Sequence, residues 1–306
     1  MTDDPLEAKM VNLGVVGAGT MGAGVADLAA RSGHTVVLVD VDADALTRAV
    51  ASIRKECRMS RLLTGVAVDA DQVLGRITVA DDLAALKASD LVVENVPERW
   101  PLKLQVYEAL DRLCAPDTVF VANTSAFPIT RIGAATSRPD RVIGVHFMNP
   151  APLKSAAELI PGRRTSAETV AQVRAFLDSL GTRGIDVRDA CGFVSNRVLM
   201  LTVNEAAFVV HDGVADAETV DDVFRSCFGH PMGPLETADL IGLDTVLYSL
   251  EVLLEHFGDP KFRPCPLLRA LTDAGYHGRK TGQGFHRYDS QGHVHRAGGA
   301  PGGETA

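Results

Sequence analysis

Two textures alternate along the chain. Short runs that are apolar throughout, "NLGVV", "TVVLVD", "RITVA", "LVVENV", "TVFVAN" and "RVIGVHF", are separated by helical or turn segments. "TMGAGVADLAARSG", closed by Gly33, and "ADALTRAVASIRKEC" predict the first two helices. Strands that are apolar at every position, rather than at every second one, are buried on both faces. Their spacing by helices predicts a parallel sheet with a helical layer on each side. "TSAETVAQVRAFLDSLG" predicts another helix, with Thr165 or Ser166 as N-cap and Glu168 in its first turn, and "TRGIDVRD" the last strand. After Asp189 the pattern changes. "GFVSNRVLMLTVNEAAFVVHDG" reads as one long helix, followed by helices punctuated by Gly and Pro.

Composition narrows the class. With 46% hydrophobic and 23% charged residues over 306 positions, the chain suits one large globular domain or two ordinary ones. A net charge of -9 argues against a general nucleic-acid or anionic-membrane surface, so any anionic ligand needs a local basic cluster. Five cysteines without metal or redox spacing suit buried thiols in a reducing compartment. No apolar run approaches the roughly 20 residues that span a bilayer. "MTDDPLEAKM" has no signal-peptide apolar core, and a cytoplasmic protein is expected.

The first strand runs into "VVGAGTMG", which places Gly17, Gly19 and Gly22 in GxGxxG spacing at a strand-to-helix turn. Asp40 ends the next strand, eighteen positions after Gly22. Together these form a dinucleotide fingerprint. Gly17 makes the turn, Gly19 lets a pyrophosphate reach the helix N-terminus, Gly22 permits close packing, and Asp40 accepts from the adenosine ribose hydroxyl. A carboxylate there repels a 2′-phosphate, and "DVDAD" offers no arginine to receive one, so NAD is expected over NADP, with FAD less favoured. The fold expected is α/β: a Rossmann-type, mostly parallel sheet over residues 1–190 with an all-helical C-terminal domain over 191–290. Residues 291–306, Gly-rich and polar, are expected to be disordered.

An NAD-dependent dehydrogenase acting on an alcohol needs a base for the hydroxyl proton. His146 lies at the end of "RVIGVHF", late in the sheet, where such sheets bind ligands. A lone histidine there is more often a satisfied core residue. Glu158, in the next apolar run, changes the balance: neighbouring strands joined by the proline-bearing turn would let the two side chains face each other. A carboxylate on one imidazole nitrogen fixes the tautomer and raises the basicity of the other, and pairing removes the cost of burying each group alone.

With "GAGTMG", "ENVPE", "NTS", "HFMNPAP", "GFVSNR", "PMGPLETADLIGLD" and "GRKTGQGF" in this order, residues 12 to 288 resemble the 3-hydroxyacyl-CoA dehydrogenase family. The resemblance implies that His146 is the catalytic base, that Glu158 orients it, and that Ser125 of "NTS" hydrogen-bonds the substrate oxygen. It implies that Asn196 of "GFVSNR" completes the substrate site, that Glu98 and Lys103 of "PERWPLK" contact NAD, and that Asn149 lies near the nicotinamide. It further implies an acyl thioester substrate, on CoA or an acyl carrier protein, and a homodimer formed through the helical domain. Read alone, Ser125 is a turn residue, Asn196 a polar group at a helix start, and Lys103 a solvated helix charge.

The chain departs from the family pattern near the substrate. Ala126 stands where a second serine is usual, "LKSAAE" is smaller than the usual stretch before the glutamate, and Cys191 replaces a proline in "DACGF". Arg54, Arg58 and Arg61, with Arg48 and Lys55 nearby, fall on one helix face: a solvated face, or a surface for CoA phosphates or an acidic carrier protein. Trimmed pockets of this kind resemble relatives that oxidise carrier-bound glycerate toward hydroxymalonyl or methoxymalonyl extender units, in polyketide biosynthesis. Two rivals remain. A hydroxyisobutyrate-type dehydrogenase would need a lysine that "GFVSNRVLMLTVNEA" lacks, and a non-catalytic, crystallin-like NAD-binding protein has no need of the His-Glu-Ser-Asn set.

Overall fold

The computed structural model describes residues 10–289 and 291–295. The chain forms two compact units, the first ending at Phe193 and the second starting at Val194.

The first unit is built on one eight-stranded sheet in the order β3-β2-β1-β4-β5-β6-β7-β8. Its elements are β1 (Asn12–Val16), α1 (Thr20–Arg31), β2 (Thr35–Val39), α2 (Ala43–Thr64), α3 (Ala70–Leu74), β3 (Ile77–Ala80), β4 (Leu91–Glu94), α4 (Trp100–Leu113), β5 (Val119–Ala122), α5 (Ile129–Gly133), β6 (Val142–His146), β7 (Ala156–Pro161), α6 (Ala167–Ser179) and β8 (Arg183–Asp186). Strands β1 to β6 pair in parallel, β7 is antiparallel to β6, and β8 runs parallel to β7. This is the Rossmann-type, mostly parallel sheet expected.

The fully apolar runs have a direct explanation. Leu13, Val15, Leu91, Val93, Val119 and Val121 pack into one core with residues of α1, α2 and α6. Their strand neighbours Val16, Val92, Phe120 and Ala122 join a second core with Tyr107 and Leu110 of α4 and Ile129 and Ile132 of α5. Successive side chains point to opposite faces, and both faces are covered. Ser166 is the N-cap of α6, its hydroxyl accepting from Thr169 N–H.

Helix α2 outlasts its expected end at Cys57 by two turns and stops at Gly65, whose φ of 78° makes a left-handed cap. Leu46, Ala49, Ile53, Cys57 and Ser60 form its buried face. On the basic face, Arg54 pairs with Asp71 at 2.7 Å and Arg48 with Asp42 at 3.1 Å, while Lys55, Arg58 and Arg61 are exposed. Four cysteines are buried; Cys227 is exposed, which corrects the expectation of buried thiols at that position.

The second unit is helical: α7 (Ser195–His211), α8 (Ala217–Phe228), α9 (Pro234–Ile241), α10 (Leu243–Phe257) and α11 (Pro266–Asp273). The long helix expected from Gly192 begins only at Ser195, because Phe193, at φ 49°, takes a left-handed conformation that breaks the turn. Two buried aspartates organise this unit. Asp221 accepts from Leu235 N–H and Glu236 N–H, both at 2.8 Å, at the start of α9, and lies 2.7 Å from His286 Nε2. Asp239 accepts from Phe285 N–H, His286 N–H and the Tyr288 hydroxyl. The glycines of "GRKTGQGF" make room for it: a Cβ at Gly278 would lie 2.3 Å from the Asp239 carbonyl oxygen, and one at Gly284 would lie 1.9 Å from its carboxylate.

Within the stretch expected to be disordered, residues 291–295 turn back on the chain. Val294 bridges to Tyr288, and His293 N–H donates to Asp289. The rest of that stretch lies outside the described residues. Among the described residues, no helix is long and apolar enough to cross a membrane.

Candidate active site

The residues singled out in the first unit gather at the carboxyl ends of the parallel strands. Gly17 follows β1, Asp40 follows β2, Ser125 lies three residues past β5, and His146 ends β6. A parallel sheet leads each strand to the same edge, so residues far apart in the chain meet there.

The glycine turn is tight where the spacing requires it. Gly17 has φ 93°, and its N–H donates to Val39 O at 2.8 Å. A Cβ on Gly22 would sit 1.8 Å from the Gly17 carbonyl oxygen, so only glycine fits. At Gly19 a Cβ would meet nothing within 4 Å, and the space in front of the α1 N-terminus is open. That N-terminus has no side-chain cap, which leaves its first N–H groups for an anion. Asp40 ties the turn to the next strand: its carboxylate accepts from Ala18 N–H at 2.7 Å and from Asp42 N–H at 3.0 Å. An open cradle at a helix N-terminus beside a half-buried carboxylate fits a dinucleotide with an unmodified ribose.

His146 and Glu158 are register partners in the antiparallel β6–β7 ladder, and both are buried. His146 Nδ1 lies 2.8 Å from Glu158 Oε2, and its Nε2 lies 2.9 Å from Ser125 Oγ. An ionised carboxylate only accepts, so Nδ1 carries the proton toward Glu158 and Nε2 accepts from the Ser125 hydroxyl. The Phe193 ring closes over the imidazole at a centroid distance of 5.9 Å.

The loop bearing Ser125 is held from one side by Glu98, whose carboxylate accepts from Ser125 N–H at 2.7 Å and from the Thr124 hydroxyl at 2.9 Å. Asn123 adds a second tie, donating to Asn95 Oδ1 at 2.7 Å while its own Oδ1 accepts from Phe147 N–H at 3.2 Å. Lys103 overturns its reading as a solvated helix charge. It is completely buried, and its ammonium donates to both oxygens of Glu94, at 2.9 and 3.0 Å, and to Val96 O at 3.2 Å. Burial pushes the Glu94 carboxyl above the usual range, and the Lys103 charge partly offsets that rise. Sequence reasoning misses Glu94, although a carboxylate inside "LVVENV" carries the same signal as the histidine inside "RVIGVHF". Asn149 is exposed in the turn after β6. Asn196 belongs to the second unit, on the second residue of α7.

Comparison with known proteins gives the same direction over nearly the whole chain. Residues 12–190 match the 3-hydroxyacyl-CoA dehydrogenase NAD binding domain, and residues 192–288 match the C-terminal domain of the same family. The chain belongs to the 3-hydroxyacyl-CoA dehydrogenase family. It is 42% identical over 278 residues to a probable 3-hydroxybutyryl-CoA dehydrogenase of Bacillus subtilis, covering 90% of this chain and 97% of that one. A probable 3-hydroxybutyryl-CoA dehydrogenase of Deinococcus radiodurans is 43% identical, covering 91% and 100% of the two chains. Among solved structures, the (S)-3-hydroxybutyryl-CoA dehydrogenase of Ralstonia eutropha superposes with a TM-score of 0.84 at 40% identity, over 92% of this chain and 100% of that one. As a member of this family the protein is an NAD-dependent oxidoreductase.

Proposed function

We propose that the protein interconverts a 3-hydroxyacyl-CoA and the corresponding 3-oxoacyl-CoA, with His146, Glu158, Ser125 and Asn196 as its chemical set. The observation that carries the reading is the unbroken line Glu158–His146–Ser125, with contacts of 2.8 and 2.9 Å, at the carboxyl edge of a sheet with a dinucleotide turn. Similarity to relatives named for 3-hydroxybutyryl-CoA supports a short acyl group on CoA.

In the oxidation direction, His146 Nε2 takes the proton of the substrate hydroxyl. The imidazolium so formed keeps its Nδ1–H on Glu158, whose buried carboxylate offsets the new charge. Ser125 releases Nε2 and turns its hydroxyl toward the substrate oxygen, aided by Asn196. NAD, when bound, supplies the acceptor for the hydride leaving C3. Glu98, Lys103 and Asn149 complete the cofactor side of the site. Residues 1–190 serve as the NAD-binding domain, and residues 191–290 as the substrate and dimerisation domain of a homodimer.

The test follows NADH absorbance with acetoacetyl-CoA and, separately, NAD reduction with a glyceryl-carrier protein. Turnover of acetoacetyl-CoA is expected. Turnover of the carrier-bound substrate alone would move the assignment to extender-unit synthesis, and turnover of neither, with NAD still binding, would favour a non-catalytic role. Replacing the base, His146→Gln, is expected to lower kcat by roughly 10²–10⁴-fold; full activity would sink the mechanism.

A further inference from the structure

Beneath the Ser125 loop Lys103 is held in a buried ion pair with Glu94, a residue that the mechanism above does not use. Glu94 and Lys103 are both fully buried, and such a pair adds little to stability on its own, since two charges have left water to form it. Its position points to another purpose. Glu94 Oε1 accepts from Val96 N–H at 2.7 Å, while Lys103 donates to Val96 O at 3.2 Å. One ion pair therefore grips both polar groups of a single residue, and that residue is the second before Glu98. Pro97, between them, has a restricted φ and transmits the direction with little slack.

The same ammonium lies 3.9 Å from Glu98 Oε2, so it sits between two carboxylates that would otherwise repel each other. Glu98 in turn holds Ser125 N–H and the Thr124 hydroxyl. The line is continuous: Lys103 and Glu94 to Val96, Val96 through Pro97 to Glu98, Glu98 to the Ser125 backbone, and Ser125 Oγ to His146. Ring contacts brace the two segments in parallel. Trp100 meets Phe127 at 5.7 Å, and the Arg131 guanidinium lies 4.0 Å over the Trp100 ring.

We propose that Glu94 and Lys103 are positioning residues that act through Val96 and Glu98 to set the Ser125 hydroxyl against His146. The inference rests on the reading of Ser125 and His146 given above. Removing either charge loosens the Glu98 clamp, and Ser125 spends less time in the geometry that proton transfer needs; misplacement of about 1 Å can cost on the order of 10²-fold.

A kinetic cycle tests it. Glu94→Gln is made in the parent and in a Ser125→Ala background, with kcat and KM measured for acetoacetyl-CoA and thermal unfolding recorded for each. In the parent, kcat is expected to fall about 10-fold or more with little change in KM. In the Ser125→Ala background the same change should cost almost nothing, because the residue through which it acts is gone. An equal fold-loss in both backgrounds, or a parent kcat left intact while only the Tm drops, would overturn the proposal. If Glu94→Gln does not fold with Lys103 left unpaired, Glu94→Gln/Lys103→Met removes both charges and is carried through the same cycle with the same criteria. Should Ser125→Ala itself leave kcat unchanged, the assigned role of Ser125 fails, and that failure is distinct from the absence of coupling.

Discussion

Glu158 is a carboxylate in an apolar run, with His146 helping to offset its desolvation. Its register with His146 makes it a candidate for stabilising charge on the imidazole, and the amide variant isolates that effect. Glu158→Gln keeps the shape but can present its NH₂ group to Nδ1, which holds the wrong tautomer. A loss in kcat on the order of 10²–10⁴-fold is expected in steady-state assays, with KM nearly unchanged. A wild-type kcat would reduce Glu158 to a packing partner. Residue by residue, the sequence is readable where an ionisable group interrupts an apolar strand: His146 and Glu158 stand out in this way. Glu94 carries the same mark at the end of β4, but its partner Lys103 lies on a helix nine residues on rather than in a neighbouring apolar run, so nothing in the pattern pairs them. The buried state of Lys103 is not readable at all. Its burial follows from the way α4 lies on the sheet, which no spacing within "PERWPLK" reveals.

Among elements, the β1–α1 turn is the most constrained. The 1.8 Å approach of a Gly22 Cβ to the Gly17 carbonyl means that Gly22→Ala must push α1 away from β1. Isothermal titration should then show NAD binding weakened by an order of magnitude or more, with a lower Tm as the core opens. Unchanged binding would mean that the turn relaxes without disturbing the pyrophosphate cradle. The strand sequence and the split into sheet and helices are legible because both sheet faces are apolar, which writes each strand as an unbroken run. Helix ends are less so. The extension of α2 to Thr64 depends on Gly65 adopting a left-handed cap, and the late start of α7 depends on Phe193 at positive φ. Both are backbone choices that residue identity permits without announcing.

For the molecule as a whole, stability should depend on pH through the second unit. Burial alone would lower the His286 pKa, but its hydrogen bond to the buried Asp221 and the nearby Asp239 and Glu236 charges raise it above the ordinary value of 6.5. The imidazolium is thus favoured in the folded state. Its contribution is fully present below the unfolded value of about 6.5 and is lost as pH rises through the higher folded value. In the first unit, burial opposes but hydrogen bonds from Ser137 and Arg138 prevail, and the Asp111 pKa falls below 3.8. That contribution is present above the unfolded value and disappears as pH falls through the folded one. Calorimetry should find the Tm declining from about pH 6.5 upward, with the slope flattened in His286→Gln. An identical slope in that variant would assign the decline to other groups. None of this is visible in "GRKTGQGFHRY", because the aspartates that surround His286 come from two helices far upstream.

The β6–β7 hairpin separates two kinds of inheritance. His146 and Glu158 are joined by the rungs of a ladder, whereas residues 147 to 155 close the bend, with Phe147 N–H tied to Asn123, Ala151 packed in the core, and Leu153, Lys154 and Ser155 exposed. Substitutions at Leu153, Lys154 and Ser155 leave the strand pairing untouched, provided the register is kept. A lineage could therefore rewrite those three exposed positions while keeping the pair, whereas a slip of one residue would turn Glu158 to the opposite face, away from His146. The pair is held by backbone geometry, and the exposed end of the bend beside it is free to evolve.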